Sequence, residues 1–81
     1  MDERITIINI IVSNKESTAQ VNNILHEFSE HIVARMGVPY TAKDVAVICV
    51  IANISTKNAS ALSGKLGMLD GVTAKTMTAK I

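Results

Sequence analysis

The chain has 81 residues, of which 48% are hydrophobic, 19% are charged and only 2% are aromatic. Eight Lys and Arg residues against seven Asp and Glu residues leave a net charge of +1. This length predicts one small domain over residues 1–81, and the composition is too apolar for a disordered chain. A charge near neutrality argues against direct binding of nucleic acid through its backbone, for which a clustered basic face is expected.

The cysteine content and the hydropathy pattern exclude further classes of protein. A single cysteine cannot form an internal disulfide, and it excludes a metal cage built from several cysteines. No stretch approaches the ~20 apolar residues of a membrane span, and the opening Met-Asp-Glu-Arg is unlike a cationic secretory leader. We therefore expect a cytoplasmic protein with no membrane partner.

The first apolar segment predicts a strand over residues 4–12, because β-branched side chains dominate it. One face of this strand carries Ile8, Ile10 and Val12, and the other carries Ile5, Ile7, Asn9 and Ile11. Both faces are largely apolar, which is unusual for a sheet that has one side in water.

A helix and a second strand are predicted next. Ser13, followed three residues later by Glu16, is typical of a capping box, and apolar residues at helical spacing predict a helix over residues 14–31. Residues 33–40 indicate a strand that contains Pro39. Since proline cannot donate a hydrogen bond to a neighbouring strand, this strand is expected at a sheet edge.

The second half of the chain repeats this layout. After a turn at residues 41–44, the continuous apolar run of residues 45–52 predicts a strand that is buried on both faces. Ser55 is a candidate cap for a second helix that ends near Gly67. Residues 72–78 then alternate as a last strand would.

The resulting order, βαββαβ, is that of the α+β ferredoxin-like fold. This fold has a four-stranded antiparallel sheet with two helices on one face, and its first and third strands lie in the centre. The sequence agrees with that arrangement, because its two most apolar strands take the central positions and Pro39 falls at an edge.

Two helices can cover only one face of such a sheet, so the other face would expose a large apolar patch. At ~25 cal/mol per Å2, burying this patch would contribute several kcal/mol. We therefore predict a homodimer or homotetramer formed by packing of sheet on sheet. The predicted interface residues are Ile7, Ile11, Val47, Cys49 and Ile51. The alternative is a twisted sheet that exposes scattered aliphatic side chains.

The sequence offers no convincing catalytic or metal site. His26 and His31 are five residues apart, whereas helical neighbours that share a face are three or four apart. Cys49 lies in a buried run with no base beside it, which favours a small hydrophobic role. Gly64-Lys65 lacks the preceding glycine of a phosphate loop. We accordingly expect no catalytic residue, no bound metal and no cofactor.

Two segments carry a resemblance to a known family: LHEFSEHIVARMGVPY at residues 25–40 and ALSGKLGMLDGV at residues 61–72. Together with the first strand, they resemble short bacterial proteins called iron-only hydrogenase system regulators, over essentially the whole chain. That family is similar to the ACT-like C-terminal domain of the nickel-responsive repressor, which is ferredoxin-like and tetrameric. The resemblance implies transcriptional control of [FeFe]-hydrogenase genes.

The resemblance does not carry over the metal site or the DNA-binding segment of that repressor. Its second strand supplies two histidine ligands where this chain has Val38 and Tyr40. Its third strand opens with a cysteine ligand where this chain has Val45 and Ala46. The ribbon–helix–helix that binds DNA in the repressor has no counterpart here.

These observations favour a non-enzymatic regulatory or ligand-sensing domain that acts as a homo-oligomer. ACT-like assemblies bind small molecules at subunit interfaces, so the resemblance points to an effector site at Ser13, Asn14, Lys15 and Glu16. A protein partner fits equally well. The alternatives are a DNA-binding regulator without a recognisable motif and a small enzyme on a ferredoxin-like dimer.

Overall fold

The structure is a computed structural model that describes residues 2–80. Its elements are β1 (Glu3–Val12), α1 (Thr18–Glu27), β2 (Ile32–Tyr40), β3 (Val45–Ser55), α2 (Thr56–Gly67) and β4 (Val72–Thr78). Single 3-10 turns lie at Lys15–Ser17, Ser29–His31 and Thr41–Lys43. The predicted βαββαβ order and the ferredoxin-like α+β class are therefore confirmed.

The four strands form one antiparallel sheet in the order β2-β3-β1-β4. The central pair, β1 and β3, is in register from Glu3 opposite Ser55 to Val12 opposite Ala46. Pro39 lies on β2, at an edge of the sheet, where a missing backbone donor is tolerated. The predicted positions of central and edge strands are thus confirmed.

The hydrophobic core lies between one face of the sheet and the two helices. The central strands contribute Ile8, Ile10, Val12, Ile48, Val50, Ala52 and Ile54 to it. The helices contribute Val21, Leu25, Ala59, Leu62 and Leu66. Because side chains alternate along a strand, the residues between these core positions point to the opposite face of the sheet.

We call this opposite side the open face, because neither helix covers it. Its members are Glu3, Ile5, Ile7, Asn9 and Ile11 of β1; Ala34, Met36, Val38 and Tyr40 of β2; Val45, Val47, Cys49, Ile51 and Asn53 of β3; and Thr73, Lys75 and Met77 of β4. Eight of the ten large hydrophobic side chains that are exposed within residues 2–80 lie on the open face.

The first helix is shorter than predicted. The sequence pattern indicates a helix to residue 31, whereas α1 ends at Glu27. The Phe28 amide donates to the Leu25 carbonyl at 3.2 Å, which tightens the last turn, and the backbone of Phe28 leaves the helical region at φ −105° and ψ 16°. This early end lets Phe28 pack against the core and lets the chain extend into β2.

Two other predicted boundaries are also wrong. Ser13 does not cap the helix, because its hydroxyl donates to the Gly71 carbonyl while Asn14 accepts from the Glu16 amide. The third strand does not stop before Asn53. It continues to Ser55 through the buried Ile54, paired with β1 up to Glu3, and Asn53 Nδ2 donates to Glu3 Oε1 at 3.2 Å on the exposed side of the sheet.

The cap of α2 gives a direct test of this local structure. The Ser55 hydroxyl accepts from the Asn58 amide at 3.1 Å, so Ser55→Ala should lower the free energy of unfolding by about 1 kcal/mol. In a domain of this size, this corresponds to a fall in Tm of about 4–8 °C. Ser60→Ala, at an exposed position inside the same helix, is the control and should leave Tm unchanged or slightly higher. Equal losses in the two variants, measured by thermal denaturation, would contradict the assigned cap.

Candidate functional site

The turn between β1 and α1 is held against the turn between α2 and β4 by a set of hydrogen bonds. The backbone amide and the hydroxyl of Ser13 both donate to the Gly71 carbonyl, at 2.7 and 3.0 Å. Asn14 Nδ2 donates to Asp70 Oδ2 at 2.7 Å, and the buried Ser17 hydroxyl donates to the Asp70 carbonyl at 2.7 Å. We call these five residues the turn clasp.

Gly71 allows the two turns of the clasp to approach each other. Its φ of 71° lies in the left-handed region, and a Cβ at this position would come within 2.7 Å of Asn14 Cβ and 3.0 Å of Ser13 Oγ. Any side chain here would therefore separate the two turns. Two of the four predicted effector residues, Ser13 and Asn14, already donate side-chain hydrogen bonds to other residues of the chain.

The other two predicted effector residues, Lys15 and Glu16, are exposed. Lys15 Nζ lies 2.9 Å from Asp44 Oδ1, which links the turn after β1 to the turn between β2 and β3. The hydrogen bond to Asp44 and the negative charge of its carboxylate raise the pKa of Lys15. Asp44 itself adopts a left-handed backbone with φ 55°.

A cleft of about 220 Å3 lies beside this ion pair. Its lining includes the apolar side chains of Val12 and Val45, the ring of Tyr40 and the charged side chains of Lys15 and Asp44. This combination of apolar lining and a few polar groups suits a small molecule. The volume is below the ~300 Å3 at which small-molecule sites usually begin, so an isolated chain could enclose only a very small ligand.

The five predicted interface residues all lie together on the open face. Ile7 is opposite Ile51, Ile11 is opposite Val47, and Cys49 lies between those two rows. The sequence-based set omitted four exposed side chains of the edge strands: Met36, Val38, Tyr40 and Met77. The alternation of residues along β2 and β4 could have identified them.

The histidines show no arrangement for metal binding. His31 lies directly before β2. Its Nδ1 is 3.7 Å from Glu3 Oε2, and its Nε2 is 3.8 Å from Glu30 Oε1. His26 is exposed on α1, in a shallow groove that also contains Arg35. Within residues 2–80, no group of three or more His, Cys, Asp or Glu side chains is placed to hold a metal ion. No helix in this part of the chain has the length and apolarity required to cross a membrane.

Comparison with known proteins identifies a family whose members match this chain. Residues 4–76 match the family of TM1266-like proteins, described as "Iron-only hydrogenase system regulator, putative". The chain belongs to this TM1266-like family. A solved structure of the uncharacterized protein TM1266 from Thermotoga maritima is 38% identical, with a TM-score of 0.92 over 96% of this chain and 99% of that one. The resemblance seen in the sequence is thereby confirmed.

A second solved structure shares the fold alone. A formyltetrahydrofolate deformylase from Pseudomonas putida KT2440 superposes with a TM-score of 0.66 at 11% identity, over 93% of this chain. The matched region is only 29% of the deformylase chain. Among curated proteins, no sequence matches this chain.

The turn clasp gives the second testable prediction. Gly71→Ala should lower the free energy of unfolding by about 2–3 kcal/mol, because the new Cβ meets Asn14 and the backbone is left-handed. Gly64→Ala is the matched control, since nothing lies within 4 Å of a Cβ at that helical position. The control should gain about 0.5–1 kcal/mol. Chemical denaturation measures both values, and a Gly71→Ala protein as stable as the wild type would contradict the clasp.

Proposed function

We propose that this chain is a non-enzymatic regulatory domain of an iron-only hydrogenase system and that it acts as a homo-oligomer. The observation that carries the proposal is the family match over residues 4–76, together with the 38% identity to TM1266 over nearly the whole of both chains. A domain of this kind would act by binding a small effector, a protein partner or both.

The placement of polar groups supports binding rather than catalysis. The buried polar residues within residues 2–80 are Thr6 and Ser17, and neither is an acid or a base that could titrate near neutral pH. The Ser17 hydroxyl is engaged in the turn clasp. Catalytic groups generally have pKa values shifted by burial and charged neighbours, whereas the pKa of Lys15 is raised by Asp44 at an exposed surface position.

The proposed effector site is the cleft beside Lys15 and Asp44. Of the four predicted effector residues, Ser13, Asn14, Lys15 and Glu16, Lys15 is the one that lines this cleft. Three connections meet at this end of the sheet: the turns after β1 and β2, and, through the turn clasp, the turn before β4. A ligand that separates Lys15 from Asp44 would change the contact between two of these turns. Effector binding could thus be transmitted to the strands that form the open face.

Deletion of the gene tests the regulatory role. In the organism that encodes the chain, we expect deletion to change the level of iron-only hydrogenase transcripts several-fold, and the wild-type gene supplied on a plasmid should restore it. The complementing gene is needed as a control for effects on neighbouring genes. Transcript levels that are the same with and without the chain would contradict the proposal.

Thermal-shift measurements test the effector site. The purified chain is screened with amino acids, nucleotides and divalent metals. A ligand at 100 times its Kd stabilises the folded state by about 2.7 kcal/mol, which raises the Tm of a domain of this size by roughly 10–20 °C. Lys15→Ala should reduce the shift, whereas Lys57→Ala, an exposed lysine at the start of α2, should not. A hit that Lys15→Ala leaves unchanged would contradict this location.

A further inference from the structure

The apolar area of the open face matches what one partner contributes to a stable dimer. Eight of its large hydrophobic side chains are between 39% and 63% exposed. If a fully exposed residue of this size presents about 150–200 Å2, these eight amount to roughly 600–800 Å2, within the range of about 600–1,000 Å2 that one partner contributes to a standard interface. A monomer rarely exposes a contiguous apolar patch of this size.

The open face has the composition of an interface core. The register of the strands defines three rows of four residues that cross the open face from β2 to β4. They are Val38, Val47, Ile11 and Thr73; Met36, Cys49, Asn9 and Lys75; and Ala34, Ile51, Ile7 and Met77. Lys75 is the one charged side chain in these rows, and depletion of charge is characteristic of buried interface cores.

A hollow and a protruding side chain lie in the same row, at opposite edges of the sheet. The hollow, of about 210 Å3, is lined by Ala34, Arg35, Met36, Cys49 and Ile51 on the β2 side. Met77, 63% exposed, projects from β4 in the row of Ala34. The midline of the sheet runs between β3 and β1, so Ala34 and Met77 are equally far from it on opposite sides.

We infer that a second copy of the chain covers the open face, stacked sheet on sheet about a two-fold axis that runs parallel to the strands along this midline. Such an axis keeps each row at the same height and reverses its order across the sheet. Met77 of each copy then enters the hollow at Ala34 of the other, and Ile7 lies over Ile51. This inference rests on the homo-oligomer of the proposed function and names its surface and geometry.

The charge of Lys75 distinguishes this axis from the other two-fold arrangement. An axis across the strands through the Lys75 row would place Lys75 over its own equivalent, with two sheets only about 10 Å apart. The axis along the strands instead places Lys75 over Met36 of the second copy, at the edge strand β2. At that position the methylene groups of Lys75 can pack on Met36 of the second copy, while the ammonium group of Lys75 extends beyond the edge strand into water.

Two methionine-to-lysine variants test which surface is covered. Met36 lies on the open face, whereas Met68, 87% exposed, follows α2 and lies outside that face. We expect Met36→Lys to halve the mass of the wild-type assembly in light scattering, because a charge in the interface core should weaken pairing at least about 100-fold. Met68→Lys should leave the mass unchanged, and circular dichroism verifies that both variants are folded.

Thiol crosslinking tests the axis in a background that carries Cys49→Ser. With a short bis-maleimide, the double variant Ala34→Cys and Met77→Cys should form covalent dimers, whereas each single variant should stay uncrosslinked. Within one chain these two positions are three strand spacings apart, about 14 Å. The short reagent therefore does not crosslink the two cysteines of the same chain. Dimers from Met77→Cys alone, or none from the double variant, would overturn the axis.

The inference and the proposed function fail in different experiments. A wild-type chain that is monomeric at every concentration, or a Met36→Lys protein that keeps the wild-type mass, overturns pairing through the open face. Monomeric wild type is also the result expected if another protein covers this surface. The regulatory role is overturned only by unchanged hydrogenase transcripts after deletion.

Discussion

A four-stranded sheet has two faces, and two helices can cover only one of them. In this chain the covered face holds a complete core, with Ile8, Ile10 and Val50 excluded from solvent. The same strands place aliphatic side chains at many of the alternate positions, so much of the second face is apolar as well. Water contact at that face is unfavourable by ~25 cal/mol for each Å2 of apolar surface. The apolar side chains on the face that the helices leave uncovered are the constraint on which the proposed assembly depends.

One end of the sheet and its open face have different proposed roles. At one end, the turn clasp and the Lys15–Asp44 pair connect three turns, so a ligand in the adjacent cleft would act where the connections converge. The open face extends from this end along all four strands. Tyr40 and Val45 contribute both to the cleft and to the open face, which gives the proposed effector site a direct physical route to the proposed interface.

The fold could be predicted because periodicity, β-branching and the position of Pro39 all agree on one topology. The errors have local causes. Asn53 resembles a strand end in sequence, but its partner Glu3 is fifty residues away, so only the folded sheet explains it. The early end of α1 depends on Phe28 reaching the core, and the pattern of apolar residues gives no sign of this. The pairing of Lys15 with Asp44 likewise follows from tertiary structure, since no local spacing relates the two residues.

Cys49 provides the most direct measurement of whether the open face is shared between copies. It lies in the middle row of that face and is partly accessible in a single chain. The measurement is the rate at which a maleimide modifies Cys49 in the purified protein over a wide range of protein concentration. Pairing through the open face predicts that the rate per chain falls steeply as concentration rises. A rate that equals that of the Met36→Lys variant at every concentration would contradict the central claim.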